Sequence, residues 1–416
     1  MPAEEQCRNK EWQNRYRNGF FLAPMVRIGT LPFRLLCLEY GADLVWTSEI
    51  IDKSIVGATR EVDEKSGVIS YIKRDKDVFT THPSEKEKVV FQLGTADPDL
   101  ALEAAKTVEK DVSGVDLNCG CPKKFSVSGG MGAALMSDPD RLCAILEKLV
   151  QGLDIPVTCK IRVFDDVDQT LRLVRRIAAT GISALTVHCR TRAMRPSEKA
   201  MWYRLNDIVK ELPDLPVILN GDIFEHSDVQ RARDETGATS VMTARGAEEN
   251  PSIFRVQGKL SVMETAVALT KLAVQTSNVF INTKYILLKM YPDTKSKRFE
   301  ILNKSRSYKQ MCDAMGLTEY YETEGVNLIH ERSEPSKTRI KPGKQPQATE
   351  NAGKRKSEEQ DKTVAQDNHS AIPEEPAKTG TVQQAVPQQG SGSETNPELA
   401  ETTDVAEAHA AKRLKA

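Results

Sequence analysis

What this chain lacks narrows its class before any motif is read. No run of about 18 apolar residues occurs, so no segment is long enough to span a bilayer as a helix. Cysteine is present, eight in 416 residues, but at no spacing that reads as a disulfide scaffold. Cys119, Cys159 and Cys189 lie inside apolar runs and no signal peptide is evident, so a reducing compartment is expected, cytoplasmic and/or nuclear. Basic clusters at 354–356 and 412–415 suit either a nuclear signal or plain solubility. Neither sign of charge dominates: 58 basic and 59 acidic residues leave a net −1, which says nothing about partners. Aromatics vanish after about Ser333, where Pro, Gln, Glu, Lys, Ser, Thr and Ala take over. Such a stretch buries too little apolar surface to offset its ordering entropy, so 333–416 is expected to be a disordered tail. Residues 1–18 are polar and are expected to form a flexible arm.

Between those ends the chain alternates. Short apolar, β-branched runs occur at 19–25, 44–50, 89–94, 114–120, 156–162, 184–190, 216–222 and 240–246. Most of the intervening segments have helical spacing, with Asp, Ser or Thr before them and glycine after several, as caps require. Eight strand–helix units predict a (β/α)8 TIM barrel over 19–258. An open doubly wound sheet is the alternative, but no Gly-rich dinucleotide turn follows the first strand. An inserted hairpin is expected over 67–82. From 259 to 332 the spacing is helical without strands, a small all-helical domain. Residues 259–313 carry ten Lys or Arg against four acids, a local basic block.

Sites in such barrels lie at the carboxyl ends of the strands. There the sequence places Pro24, Met25 and Val26; Glu49; Gln92; Asn118 to Cys121; Lys160; His188 to Arg192; Asn220, Gly221 and Asp222; and Ala244, Arg245 and Gly246. Lys160, His188 and Arg245 aimed at one mouth would repel one another without a polar or anionic ligand. The last two loops, with their glycines and an arginine, suit a phosphate. Gln92, Asn118 and Lys160 offer donors and acceptors to a polar ring. A phosphate joined to a polar planar ring describes a mononucleotide-like cofactor, and FMN fits. Cys119 and Cys121 could form half of a zinc site, but no second pair stands at ligand spacing, and no metal is expected. Cys121 follows Gly120 and precedes Pro122, outside the strand. An ordinary thiol, with a pKa of about 8.5, stays protonated at neutral pH and is a competent acid toward a carbanion.

At these residues the sequence resembles the tRNA-dihydrouridine synthases. The motifs are Ala23-Pro-Met25, Phe91-Gln-Leu-Gly94, Asp116-Leu-Asn-Cys-Gly-Cys-Pro122, Lys160-Ile-Arg162, Val187-His-Cys-Arg-Thr191, Asn220-Gly-Asp222 and Ala244-Arg-Gly246. The stretches 26–34 and 47–52 look most like the eukaryotic branch acting on uridine 20 of the D-loop. The resemblance implies reduction of a tRNA uridine to 5,6-dihydrouridine, with FMN as cofactor and NADPH as reductant. It implies Cys121 as the proton donor to C5, and FMN contacts from Gln92, Lys160, His188, Asn220, Asp222 and Arg245. Glu49, Arg190, Thr191 and Arg192 are candidates for substrate contact. The helical domain would grip the tRNA backbone, and a monomer is expected. Two rivals stand beside this reading: a flavin enzyme acting on a free pyrimidine, and a catalytically silent tRNA-binding protein.

Overall fold

Alternation along eight short strands decides the architecture. In the computed structural model, which describes residues 3–325, the barrel strands are β1 Phe20–Leu22, β2 Val45–Trp46, β3 Val89–Gly94, β4 Gly114–Asn118, β5 Val157–Arg162, β6 Ala184–His188, β7 Val217–Asn220 and β8 Ser240–Thr243. Each pairs in parallel with the next, and β8 returns to β1, so the sheet closes as a (β/α)8 barrel. Side chains of one parity, among them Phe91, Val115, Leu117, Ile161, Val187 and Leu219, pack outward against the helices. Those of the other parity fill the interior, with Phe21, Trp46, Val90, Ala184, Ile218 and Met242 in its lower layers. Aspartate or Asp-Pro begins the helices Pro98–Val108, Pro139–Gly152 and Val167–Ala179. In each, the cap carboxylate accepts backbone N–H groups of the first turn.

Two expectations are corrected. The arm expected over 1–18 contains a helix, Ala3–Asn14, held by Asn9, which donates to the Gly181 carbonyl (3.2 Å) and accepts from the Ser183 hydroxyl (3.1 Å). The chain then turns Tyr16 into the floor of the barrel, where it is 1% exposed beside Trp46. The helix has no apolar face, so periodicity gave no sign of it; polar contacts place it. The inserted hairpin is present as Ile69–Lys73 and Lys76–Thr81, but a third strand, Thr59–Val62, pairs along it. That strand is largely solvent-facing and lacks the apolar alternation that marks a half-buried one.

The insertion is tied down by a buried ion pair. Arg34 and Glu85 form a forked pair, Nε to Oε2 at 2.9 Å and a terminal nitrogen to Oε1 at 2.6 Å. Arg34 also donates to the carbonyls of Gly29 (2.7 Å) and Thr80 (2.8 Å), and Thr81 donates to Glu85 at 2.8 Å. The loop after β1, the inserted sheet and the turn before β3 thus meet on one guanidinium.

Among the described residues after 258 only helices occur: Val262–Gln275, Phe280–Met290, Lys297–Lys304, Tyr308–Ala314, Thr318–Tyr320 and a last turn, Tyr321–Gly325. Their buried residues, Leu269, Ile286, Leu287, Leu302 and Met311 among them, continue the core outside the barrel. The basic block is partly neutralised, since Lys259 pairs with Glu225, Lys289 with Glu248, Lys304 with Glu300 and Lys309 with Glu322. The tail expected over 333–416 lies outside the described residues.

Replacing Glu85 by alanine leaves the Arg34 charge buried without its partner. The expected cost is about 3–5 kcal/mol of stability, read from the shift in a denaturant unfolding midpoint. A shift below about 1 kcal/mol, the usual size for an exposed pair, would refute the pair's place in the fold.

Candidate active site

The inward parity that fills the barrel floor with apolar side chains turns polar at the carboxyl ends. Gln92, Asn118, Lys160, Arg162, His188 and Asn220 share it, and pairing aligns them: Asn118 lies opposite Lys160, and His188 opposite both Arg162 and Asn220. They open onto a cavity of about 230 Å³ that is also walled by Ala23, Pro24, Val26, Glu49, Cys121 and Ala244. A second cavity of about 180 Å³ shares Arg162, His188, Asn220 and Ala244 with it and continues to Gly221, Asp222, Phe224 and Arg245. The two form one bipartite mouth.

Beneath the mouth, Asp116 is fully buried on β4. Its carboxylate accepts from the Gln92 amide (2.8 Å) and the Thr158 hydroxyl (2.7 Å). Burial pushes its pKa up to about 6, against those two hydrogen bonds and the Lys160 charge. Because Gln92 gives its N–H to Asp116, its carbonyl faces the Asn118 amide, 3.4 Å away. The Asn118 carbonyl in turn accepts the backbone N–H of Gly120 (3.0 Å) and of Cys121 (3.1 Å). Asp116 thereby orients two amides in series, and the second holds the thiol's backbone.

Positive charge crowds the other wall. Burial, and then the neighbouring Arg162, push Lys160 down to about 8. Burial and the cations Lys160, Arg162, Arg190 and Arg245 hold His188 far below its ordinary pKa. His188 is therefore neutral at physiological pH. Its Nε2 accepts from Arg190 at 3.1 Å, which leaves the proton on Nδ1. Arg245 donates to Asp222 at 2.5 Å and lies over the Phe224 ring. Gly221, at φ 125°, leaves room for Ala200, Arg190 and His188, all of which would crowd a Cβ there.

Cys121 is half-buried. Burial first, and then the Glu49 carboxylate hydrogen-bonded to it, raise its thiol pKa. Glu49 is itself raised by burial. One of its oxygens stands 3.5 Å from the Ser126 hydroxyl; the other is buried with no hydrogen-bond partner. A buried carboxylate oxygen left unpaired beside a thiol marks a place where a ligand supplies the missing donor. The glycine-rich loop folds back over Cys121: Ala133 N–H donates to the Cys121 carbonyl at 3.0 Å. At Gly132 (φ 58°) a Cβ would sit 2.4 Å from the Ser126 oxygen and 2.7 Å from that carbonyl.

The remaining candidates do not line the Cys121 cavity, although Arg190 and Asp222 line the smaller one. Arg190 is 2% exposed and spent on Asp222, the Glu198 carbonyl and His188. Thr191 is buried, and its carbonyl accepts from Arg162 at 3.1 Å. Arg192 is exposed and lines neither cavity. These three shape the 190–200 loop and do not join Glu49 beside the thiol. The Met25 carbonyl closes a turn with Ile28, Gly29 and Ser48. Gly246 lets its helix approach the Ile223 carbonyl, 2.5 Å from where a Cβ would be. Asp222 lines the smaller cavity, but its carboxylate is committed to Arg190, Arg245 and the Ala200 N–H. Arg162, which the sequence places with Lys160 at a strand end, joins the site. Asp116 and Ser126 belong to it as well and were not singled out; parity with Asn118 marks Asp116, and nothing in the sequence marks Ser126.

The donor set fits a ligand with a polar ring at one end and an anion at the other. Gln92, Asn118 and Lys160 face the ring end, and Arg162 and Arg245 the anion end. No group of three or more His, Cys, Asp or Glu suited to a metal occurs among the described residues.

A closed (β/α)8 barrel whose strand ends gather a protonated thiol, a lysine and an anion pocket has the layout of a barrel enzyme with a mouth suited to a large polar ligand. The dihydrouridine synthase (Dus) family model matches residues 21–334, and the chain belongs to that family and is an oxidoreductase. Among curated proteins it is 43% identical over 329 residues to the Schizosaccharomyces pombe tRNA-dihydrouridine(20) synthase [NAD(P)+], covering 72% of this chain and 68% of that one. It is 37% identical to the Saccharomyces cerevisiae protein of the same name, covering 71% and 83%. To the tRNA-dihydrouridine synthase B of Pasteurella multocida it is 34% identical, covering 60% and 72%.

Since the Glu49 charge opposes ionisation of Cys121, Glu49→Gln should lower the thiol's pKa and speed its alkylation by iodoacetamide at pH 8. Mass spectrometry of the Cys121 peptide across pH reads the midpoint. An unchanged midpoint would separate the two groups.

Proposed function

We propose that this enzyme reduces the C5=C6 bond of uridine 20 in the tRNA D-loop, using FMN as cofactor and NADPH as the source of electrons. The observation that carries the proposal is a thiol held protonated at one end of a mouth whose other end is built for an anion. The names of the two fungal relatives supply the position and the NAD(P) dependence.

When bound, FMN supplies the hydride that adds at C6 of the uracil. This chain's residues do the rest. Lys160, with Gln92 and Asn118, would hold the polar ring, Pro24 and Val26 would border it, and His188 would contribute a neutral imidazole. Arg245 and Arg162, beside Asn220, Gly221 and Ala244, would hold the phosphate. Cys121 donates its Sγ proton to C5, the carbon that becomes nucleophilic as the C5=C6 electrons are displaced. The thiolate left behind recovers a proton from solvent, a return that the neighbouring Glu49 carboxylate favours because it disfavours the ionised thiol. The target base must leave its stack to reach Cys121.

Cys121→Ala should keep flavin absorbance and tRNA affinity and lose dihydrouridine formation by roughly 10²–10⁴-fold, the range for a removed general acid. Cys119→Ala should keep most activity, because Cys119 points away from the mouth, its sulfur 3.6 Å from that of Cys159. Single-turnover reduction of tRNA, with dihydrouridine quantified by mass spectrometry, distinguishes them. Full activity in Cys121→Ala would remove the thiol from the mechanism. Equal reduction of free uridine and tRNA would favour a small-molecule enzyme instead.

A further inference from the structure

The helical region holds a hollow that the chemistry at Cys121 does not use. It measures about 410 Å³, within the roughly 300–1,000 Å³ of small-ligand sites. Phe280, Tyr285 and Leu288, all from the helix Phe280–Met290, make an apolar floor, and Ile281 stands at its edge, 63% exposed. Arg27 reaches over from the loop after β1, its guanidinium carbon 4.1 Å from the centre of the Tyr285 ring. The Arg27 backbone is left-handed, φ 68°, a conformation a non-glycine residue keeps only where its surroundings impose it.

Two more cations border the hollow. Lys284 donates to the carbonyls of Asn303 (2.5 Å) and Ser305 (3.1 Å), and Arg306 to that of Asn303 (3.2 Å). Among the described residues no carboxylate forms an ion pair with Arg27, Lys284 or Arg306. Burial, and then the nearness of Arg306, lower the Lys284 pKa. An aromatic and aliphatic floor under uncompensated cations matches a ligand with a flat apolar face and a negative charge. A hollow made for an apolar peptide would need no such ring of cations.

The hollow is related to the catalytic mouth through shared lining residues. Arg27 lines it and also lines a groove of about 270 Å³ that runs past Asn278 and Asn282 to Glu49. Glu49 lines both that groove and the Cys121 cavity. The order Cys121, Glu49, Arg27 gives the line along which a single strand leaving Cys121 would run.

We propose that the hollow binds a second nucleotide of the substrate tRNA, distinct from the uridine being reduced. Its base lies on the outer face of the Arg27 guanidinium, which the Tyr285 ring backs at 4.1 Å, and its phosphate turns toward Lys284 and Arg306. This rests on the tRNA reading above and adds a second unstacked base to it. Holding two bases fixes the direction and register of the strand, so the hollow contributes to the choice of uridine.

The test uses the full-length enzyme and tRNA transcripts that each carry one abasic site near the target uridine. Tyr285→Ala removes the ring that backs Arg27 and should raise the Kd for intact tRNA about tenfold, the scale of one lost base stack. Its single-turnover rate at saturating tRNA should stay at the wild-type value, and Tyr285→Phe should bind as wild type. One abasic position should reproduce the loss with wild-type enzyme and add nothing to Tyr285→Ala. Arg27→Gly, an exposed position whose φ suits glycine, should show the same coupling and serves if Tyr285→Ala does not fold. Wild-type affinity in both Tyr285→Ala and Arg27→Gly, or losses that add to those of every abasic position, would overturn the proposal. Wild-type enzyme that reduces tRNA while the variants behave so sinks this inference alone; wild-type enzyme that reduces no tRNA sinks the tRNA reading with it.

Discussion

The structure depends on the register of a closed parallel ladder. Side chains alternate with a period of two, so a slip of one residue in any strand would exchange its two faces. In β4 and β5 a slip would bring Cys119 or Cys159 inward and send Asn118 or Lys160 into the helical shell. Closure forbids this, because each strand is paired on both sides, and the pairs Asn118–Lys160, His188–Arg162 and His188–Asn220 fix where the polar layer begins. Beneath it, Asp116 and Thr158 are polar as well. The lower interior is closed by Tyr16 and Trp46, which keep water from entering the barrel from the other end.

Charge at the mouth is divided with some economy. Asp222 takes up Arg190 and Arg245, and its neighbour Gly221 accepts the Trp202 indole N–H through its carbonyl at 2.8 Å. That arrangement sets the 190–200 loop and leaves Arg162 and Lys160 without a carboxylate ion pair among the described residues. Their field adds to burial in suppressing the charged form of His188 and in lowering Lys160. An anionic ligand would relieve the repulsion among these cations, so the mouth favours such a ligand through its field as well as through single contacts.

Much of this was legible in the chain. The eight apolar runs became the eight barrel strands, and Gln92, Asn118, Lys160, His188, Asn220 and Ala244 all line the mouth, because strand ends and parity are local properties. What escaped was set by contacts distant in sequence. The helix Ala3–Asn14 has no apolar face and is placed by polar contacts to residues more than a hundred positions away. The strand Thr59–Val62 sits at a sheet edge and shows no alternation. Arg190 and Thr191 were candidates for substrate contact beside the family resemblance, at the end of the strand that carries His188. After the strand ends, however, the chain folds over itself, and the Arg190 guanidinium is consumed in holding that fold. Residue type and position suggested a charge at the mouth; only the folded loop shows that it is already neutralised.

The same limit of local pattern explains the Asn118-Cys-Gly-Cys-Pro122 turn. Cys119 and Cys121 are two residues apart, so a continued strand would send both sulfurs to the outer shell. The strand stops at Asn118, whose side chain accepts the N–H groups of both Gly120 and Cys121 and thereby bends the chain away from the ladder. Gly120 permits the bend, because a Cβ there would lie 3.3 Å from the Ile161 carbonyl carbon, and the Gly120 carbonyl accepts from Arg162 at 2.9 Å. Pro122 has no N–H to continue a ladder. Each residue of the turn thus has its own task in breaking the period of two. The result is that Cys119 stays inert in the shell while Cys121 swings into the mouth beside Glu49, still protonated and within reach of a base.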